Sequence, residues 1–71
     1  MKIVKIPIEE DYIRLDSLLK FAGAADTGGQ AKLAVINGEV KLNGETCLQR
    51  GRKIRKGDVV ELLDEMKITV C

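Results

Sequence analysis

The hydrophobic residues of this chain change their spacing twice, and that change limits the folds open to it. Across Lys2 to Ile8, isoleucines and a valine interleave with lysines, and Pro7 closes the run. Alternation predicts a short strand, and the proline assigns it to a sheet edge. From Arg14 the period lengthens. Leu15, Leu18, Leu19 and Ala22 fall at i, i+3, i+4 and i+7, one face of a helix that Gly23 would stop. Asp16 lies near its start, where a carboxylate complements the helix dipole.

A second helix is predicted from Thr27-Gly28-Gly29-Gln30, because threonine followed three residues later by glutamine has capping-box spacing. The hydroxyl is expected to take a first-turn amide and the glutamine to reach back to the cap. Ala31, Ala34 and Val35 make its apolar stripe, Leu33 and Ile36 widen it, and Asn37-Gly38 ends it. Alternation then returns. Val40 and Leu42 predict a half-buried strand, Asn43-Gly44 a tight turn, and Thr46 to Leu48 a short partner strand. Lys56-Gly57-Asp58 reads as another turn into Val59–Leu63, with a last strand over Lys67–Val70. Strand, two helices, then several short strands predict an α+β domain: a packed helical pair against a small twisted, mostly antiparallel sheet.

At 71 residues the chain is expected to make one domain, buried to only about 60% of its unfolded surface, so its core is marginal. With one Tyr and one Phe, that core has to be aliphatic. Cys47 and Cys71 form no disulfide framework, and with no histidine and no CxxC a zinc site lacks ligands. The stretch MKIVKIPIEED turns acidic too early for a signal peptide, and no apolar run nears the ~20 residues of a membrane span. A cytoplasmic protein without cofactor or metal is expected.

Charge points to a function. Arg50, Arg52, Lys53, Arg55 and Lys56 place five cations in seven positions with no carboxylate among them, while the whole chain carries a formal net charge of only +1. Such localised charge repels itself unless something negative lies opposite, and closely spaced phosphates are the commonest answer. Arginine engages phosphate through a planar fork and lysine as a mobile point charge. Thr27-Gly28-Gly29 is the second candidate, since a helix start offers free amides and glycines admit a phosphate close to the backbone. Lys32 lies about one turn further on. Lys20 and Lys41 count only if the fold brings them to the same face.

Catalytic patterns are mostly missing: no histidine shuttle, no Gly-x-Ser-x-Gly elbow, no phosphate-binding Walker loop and no dinucleotide fingerprint. The acidic pair Asp64-Glu65 reads as solvated turn residues, and Cys47, lacking a base partner, as a small, partly buried residue. The chain is not expected to be an enzyme.

These segments together resemble a known family. Arg14-Leu15-Asp16-Ser17-Leu18-Leu19, Gln30-Ala31, Asn37-Gly38-Glu39-Val40-Lys41-Leu42-Asn43-Gly44 and Lys56-Gly57-Asp58-Val59-Val60 are similar, in order, to the RNA-binding domain of small-subunit ribosomal protein S-four, the alpha-L motif. The similarity covers residues 14–62. Leu18-Leu19-Lys20, Thr27 to Lys32 and Arg52-Lys53-Ile54 resemble the small stand-alone bacterial proteins of the YbcJ/YaaA type. The resemblance implies two packed helices, then a loop and strands, with RNA gripped by the second helix's start (Thr27, Gly28, Gly29, Gln30, Lys32) and by Lys41, Arg50, Arg52, Lys53, Arg55 and Lys56. Many members carry Ser-Arg where this chain has Thr27-Gly28, so backbone replaces an arginine contact.

With few aromatics to stack on bases, recognition is expected to depend on shape and phosphate, so the expected partner is structured RNA, ribosomal RNA or tRNA, bound by a monomer in ribosome assembly or translation. Ribosomal particles are the larger partner this implies; a membrane or small-molecule substrate is not expected. Two rivals stand beside it. One is an adaptor that uses the basic face on an acidic protein. The other is a sulfur-carrier or ubiquitin-like chain, which would need a terminal Gly-Gly where this chain has Ile68-Thr69-Val70-Cys71.

Overall fold

The computed structural model describes residues 2–63 and 65–71, so Met1 and the Asp64 half of the Asp64-Glu65 pair lie outside the described residues. The elements run β1 (Lys2–Ile6), β2 (Ile13–Arg14), α1 (Leu15–Phe21), α2 (Gly28–Ile36), β3 (Val40–Leu42), β4 (Glu45–Thr46), β5 (Lys53–Ile54), β6 (Val59–Leu62) and β7 (Met66–Val70). Five strands form one sheet in the order β1-β7-β6-β3-β4, and β2 and β5 form a separate antiparallel ribbon. The fold is α+β with a mostly antiparallel sheet of short strands, as the spacing predicts. β1 occupies the sheet edge and pairs with β7, the one parallel pairing among the described residues. Parallel neighbours cannot be joined by a tight turn, and here both helices and the other five strands lie between β1 and β7 along the chain.

Local chemistry accounts for the element ends. Both helices close in Schellman geometry. At α1, Gly23 N donates to Lys20 O at 3.1 Å and Ala24 N to Leu19 O at 2.9 Å; at α2, Gly38 N donates to Val35 O and Glu39 N to Ala34 O, both at 3.1 Å. Gly23 has φ +79°, a region most L-residues avoid, so glycine suits that stop. Asn43 and Gly44 both have positive φ, 51° and 89°, the turn that fits the right-handed twist of the β3–β4 hairpin. Asn43 also holds the start of β6 in place: its Oδ1 accepts from Val59 N at 2.9 Å and its Nδ2 donates to Asp58 Oδ1 at 3.2 Å.

The core is aliphatic. Ile6, Leu15, Leu18, Leu19, Ala31, Val35, Val40, Ile54, Val60, Ile68 and Val70 are buried and pack as one cluster. The register places Val40, Val60, Ile68 and Val70 on the inner sheet face and Lys41, Glu61, Lys67 and Lys5 on the outer face. Burying each large side chain contributes roughly 1.5–3 kcal/mol against the entropy of ordering the chain.

Four details differ from the sequence expectations. Leu33 and Ile36 do not widen the buried stripe of α2; they are 58% and 53% exposed, because at 3.6 residues per turn they project away from the face that Ala31 and Val35 bury. The partner strand after the Asn43-Gly44 turn is Glu45–Thr46 rather than Thr46–Leu48, since a two-residue turn sets Leu42 opposite Glu45. Gln30 Oε1 accepts from Asp26 N at 2.9 Å, one residue before the cap, while Thr27 Oγ1 accepts from Gln30 N at 3.2 Å as expected. The loop that the resemblance implies after the helices does not extend through the whole basic stretch: Lys53–Ile54 is β5, paired with Ile13–Arg14.

Candidate nucleic-acid interface

The basic stretch is fixed along its backbone and open along its side chains. After a turn in which Arg52 N donates to Gln49 O at 3.1 Å, the chain crosses the start of α1. There Leu15 N donates to Arg52 O at 2.9 Å and Asp16 N to Arg50 O at 3.0 Å. Two amides that a helix start leaves unpaired are thereby satisfied by the carbonyls of the cationic segment. Ile54, 0% exposed, anchors the stretch in the core. Asp58 then closes the turn, its Oδ2 accepting from Arg55 N at 2.8 Å and its N donating to Arg55 O at 3.0 Å. This carboxylate serves backbone and Asn43, not a guanidinium.

Alternation about Ile54 sends Lys53 and Arg55 outward. Arg50, Arg52, Lys53, Arg55 and Lys56 are all exposed, and among the described residues the one ion pair is Arg14–Asp16, at 3.3 Å. Gly51, Arg52, Lys53 and Arg55, with Gln49 and Asp58, line a shallow depression of about 460 Å³. It meets a second depression, about 560 Å³, at Gln49 and Arg52; that one continues past Asn43, Thr46 and Cys47. Cys47 is half-buried.

Two residues join this surface that charge counting alone does not flag. Arg14 stands opposite Lys53 in the β2–β5 ribbon, and a Cβ on Gly51 would lie 3.6 Å from its Nη2. Tyr12 lies under Lys53, whose Nζ is 4.9 Å from the ring centroid, a cation–π distance. The signal for both is the two-residue strand Ile13–Arg14, too short to stand out as alternation.

The start of α2 differs from that of α1. Thr27 Oγ1 takes Gln30 N, and Thr27 O takes Ala31 N at 3.1 Å. Among the described residues no hydrogen bond engages the amides of Gly28 or Gly29. Neither glycine has positive φ, and a Cβ on Gly28 would meet nothing within 4 Å. In a helix each glycine is about 0.8–1 kcal/mol worse than alanine, so neither backbone conformation nor internal packing accounts for Gly28. Space left outside the backbone is what an approaching anion requires.

The remaining lysines divide. Lys20, in the last turn of α1, and Lys32, on α2, are exposed beside the helical connection. Lys41 is elsewhere: on the outer sheet face, opposite Glu61 and Thr46 in the strand register. Among the described residues, Lys41 itself lines neither of the two depressions at the basic stretch. Among the described residues no group of His, Cys, Asp and Glu could hold a metal ion, and no helix is long and apolar enough to cross a membrane.

Comparison with known proteins agrees with this architecture. A 57-residue alignment, 80% of this chain and 80% of the other, is 42% identical to "Probable ribosome maturation protein RlbA" of Bacillus subtilis (strain 168). A 49-residue alignment, 69% of this chain and 70% of the other, is 37% identical to "Putative RNA-binding protein YbcJ" of Escherichia coli (strain K12). The family pattern of the S4 domain matches residues 6–71, taking in both helices, the β2–β5 ribbon and the final strand. The helical pair and the cationic ribbon thus fall within the matched residues, and the chain is a member of the S4 domain family.

Proposed function

We propose that this chain is a non-catalytic RNA-binding protein that grips structured RNA, ribosomal RNA or tRNA, in ribosome assembly or translation. One observation carries the reading: a backbone pinned by Ile54 and by α1 presents five exposed cations with no ion pair among the described residues. Cations held this way neutralise phosphates without first breaking internal bridges. Arg50, Arg52, Lys53, Arg55 and Lys56 supply the main contact. Thr27, Gly28, Gly29 and Gln30 present the helix start, with Lys20 and Lys32 alongside. Lys41 is the outlying member of the set. The names carried by the two relatives, one for ribosome maturation and one for RNA binding, support the same reading.

The test is the salt dependence of binding to a ribosomal RNA hairpin. Replacing Arg52 and Lys53 together with Ala is expected to reduce the slope of log affinity against log salt by about two. An unchanged slope removes both residues from the interface. Salt-sensitive binding to an acidic protein, with none to RNA, would turn the basic face into an adaptor surface instead.

A further inference from the structure

The chain has one Tyr and one Phe, and the core uses neither. Phe21 is 71% exposed and Tyr12 40% exposed, and both line the same groove, about 400 Å³, between the end of β1 and the last turn of α1. Ile6 and Ile8 form its apolar floor, and Glu9 and Glu10 stand on its rim with Asp11 next in the chain. None of these three carboxylates is in an ion pair among the described residues.

Singly exposed apolar residues such as Leu48 or Leu63 are ordinary on a protein surface. A concave site that collects both aromatics under an unpaired acidic rim is a different arrangement. Its charge decides the occupant. Glu9, Glu10 and Asp11 repel phosphate and attract Lys and Arg, while the aromatic rings receive an apolar anchor or a guanidinium face. Lys53 already covers one face of Tyr12, so Phe21 is the open anchor.

We propose that the groove of Ile6, Ile8, Tyr12 and Phe21, rimmed by Glu9 and Glu10, docks a basic segment of another protein carrying at least one apolar side chain. The domain is then two-sided, with a cationic surface at the β2–β5 ribbon and an acidic, apolar one beside it. The proposal stands on the groove's own chemistry and does not require the RNA reading.

The test titrates the isotope-labelled full chain with a peptide alternating arginine and leucine, and with its Glu-for-Arg counterpart. Amide shifts confined to residues 6–13 and the neighbours of Phe21 are expected for the first peptide and none for the second. Charge reversal by Glu9→Lys with Glu10→Lys is expected to weaken the arginine peptide about tenfold, as is Phe21→Ser. Because all three side chains are exposed, thermal midpoints stay within a few degrees and RNA affinity is not reduced by Phe21→Ser. Absence of a saturable shift in the groove, or unaltered peptide affinity in the charge-reversed variant, overturns the proposal. So does an RNA hairpin that shifts the same residues and loses affinity on Phe21→Ser, which would make the groove part of an RNA site.

Discussion

The two helices begin in opposite ways. At α1 the amides of Leu15 and Asp16, which have no intrahelical partner, are taken by carbonyls of Arg52 and Arg50, and Asp16 sits in the first turn. At α2 the Thr27 side chain takes one amide, no acidic residue lies in the first turn, and Gly28 and Gly29 leave the helix start open. One start is used to build the domain and the other is left facing outward. The difference shows how a small fold combines stability with binding: it satisfies backbone groups where it must hold a cationic segment, and leaves them unsatisfied where water or an anion can reach.

The largest test breaks the first half of that comparison. Ile54→Ala removes a side chain that is 0% exposed and is expected to destabilise the domain by about 2–5 kcal/mol, read as a lowered urea midpoint. On a marginal core that loss is expected to unfold much of the population at moderate temperature. Retention of full stability would mean that the basic stretch is not anchored through Ile54.

Gly28→Asp tests the second half. A carboxylate in the first turn favours the helix by about 0.3–1 kcal/mol, and the site has room for a Cβ. The variant should melt no earlier than the parent yet bind an RNA hairpin about tenfold more weakly, as measured by filter binding. RNA affinity that survives the added charge would exclude the helix start from the interface.

Thr27→Ala removes the hydroxyl that accepts from Gln30 N and is expected to lower stability by about 1 kcal/mol, with Thr27→Ser restoring most of it. Chemical denaturation measures the difference. Lys41→Ala should do least. With Lys41 on the outer sheet face opposite Glu61, RNA affinity is expected to change by less than about twofold; a larger loss in the same binding assay would extend the interface around the sheet edge.

Much of this was written in local pattern. Leu15, Leu18 and Leu19 at helical spacing, the glycine stops, the Asn43-Gly44 turn and the alternation of Val40 and Leu42 each rest on bonds within a few residues, so the chain shows them directly. Leu33 and Ile36 are apolar without being buried, because they project from the side of α2 away from Ala31 and Val35. The candidate site divides the same way. Five cations in one run are visible in any reading of the chain. That Arg14 stands opposite Lys53, or that Tyr12 lies beneath it, depends on a two-residue pairing across some forty positions of sequence.

The sequence by itself determined the α+β class, the aliphatic character of the core and the place where positive charge gathers, since composition, periodicity and turn chemistry act over short distances. Tertiary structure alone decided that β1 runs parallel to β7, that the carbonyls of Arg50 and Arg52 cap α1, that Lys41 falls on the outer face, and that both aromatics meet in an acidic groove. Those are non-local contacts, and they form only when the whole chain closes around its core.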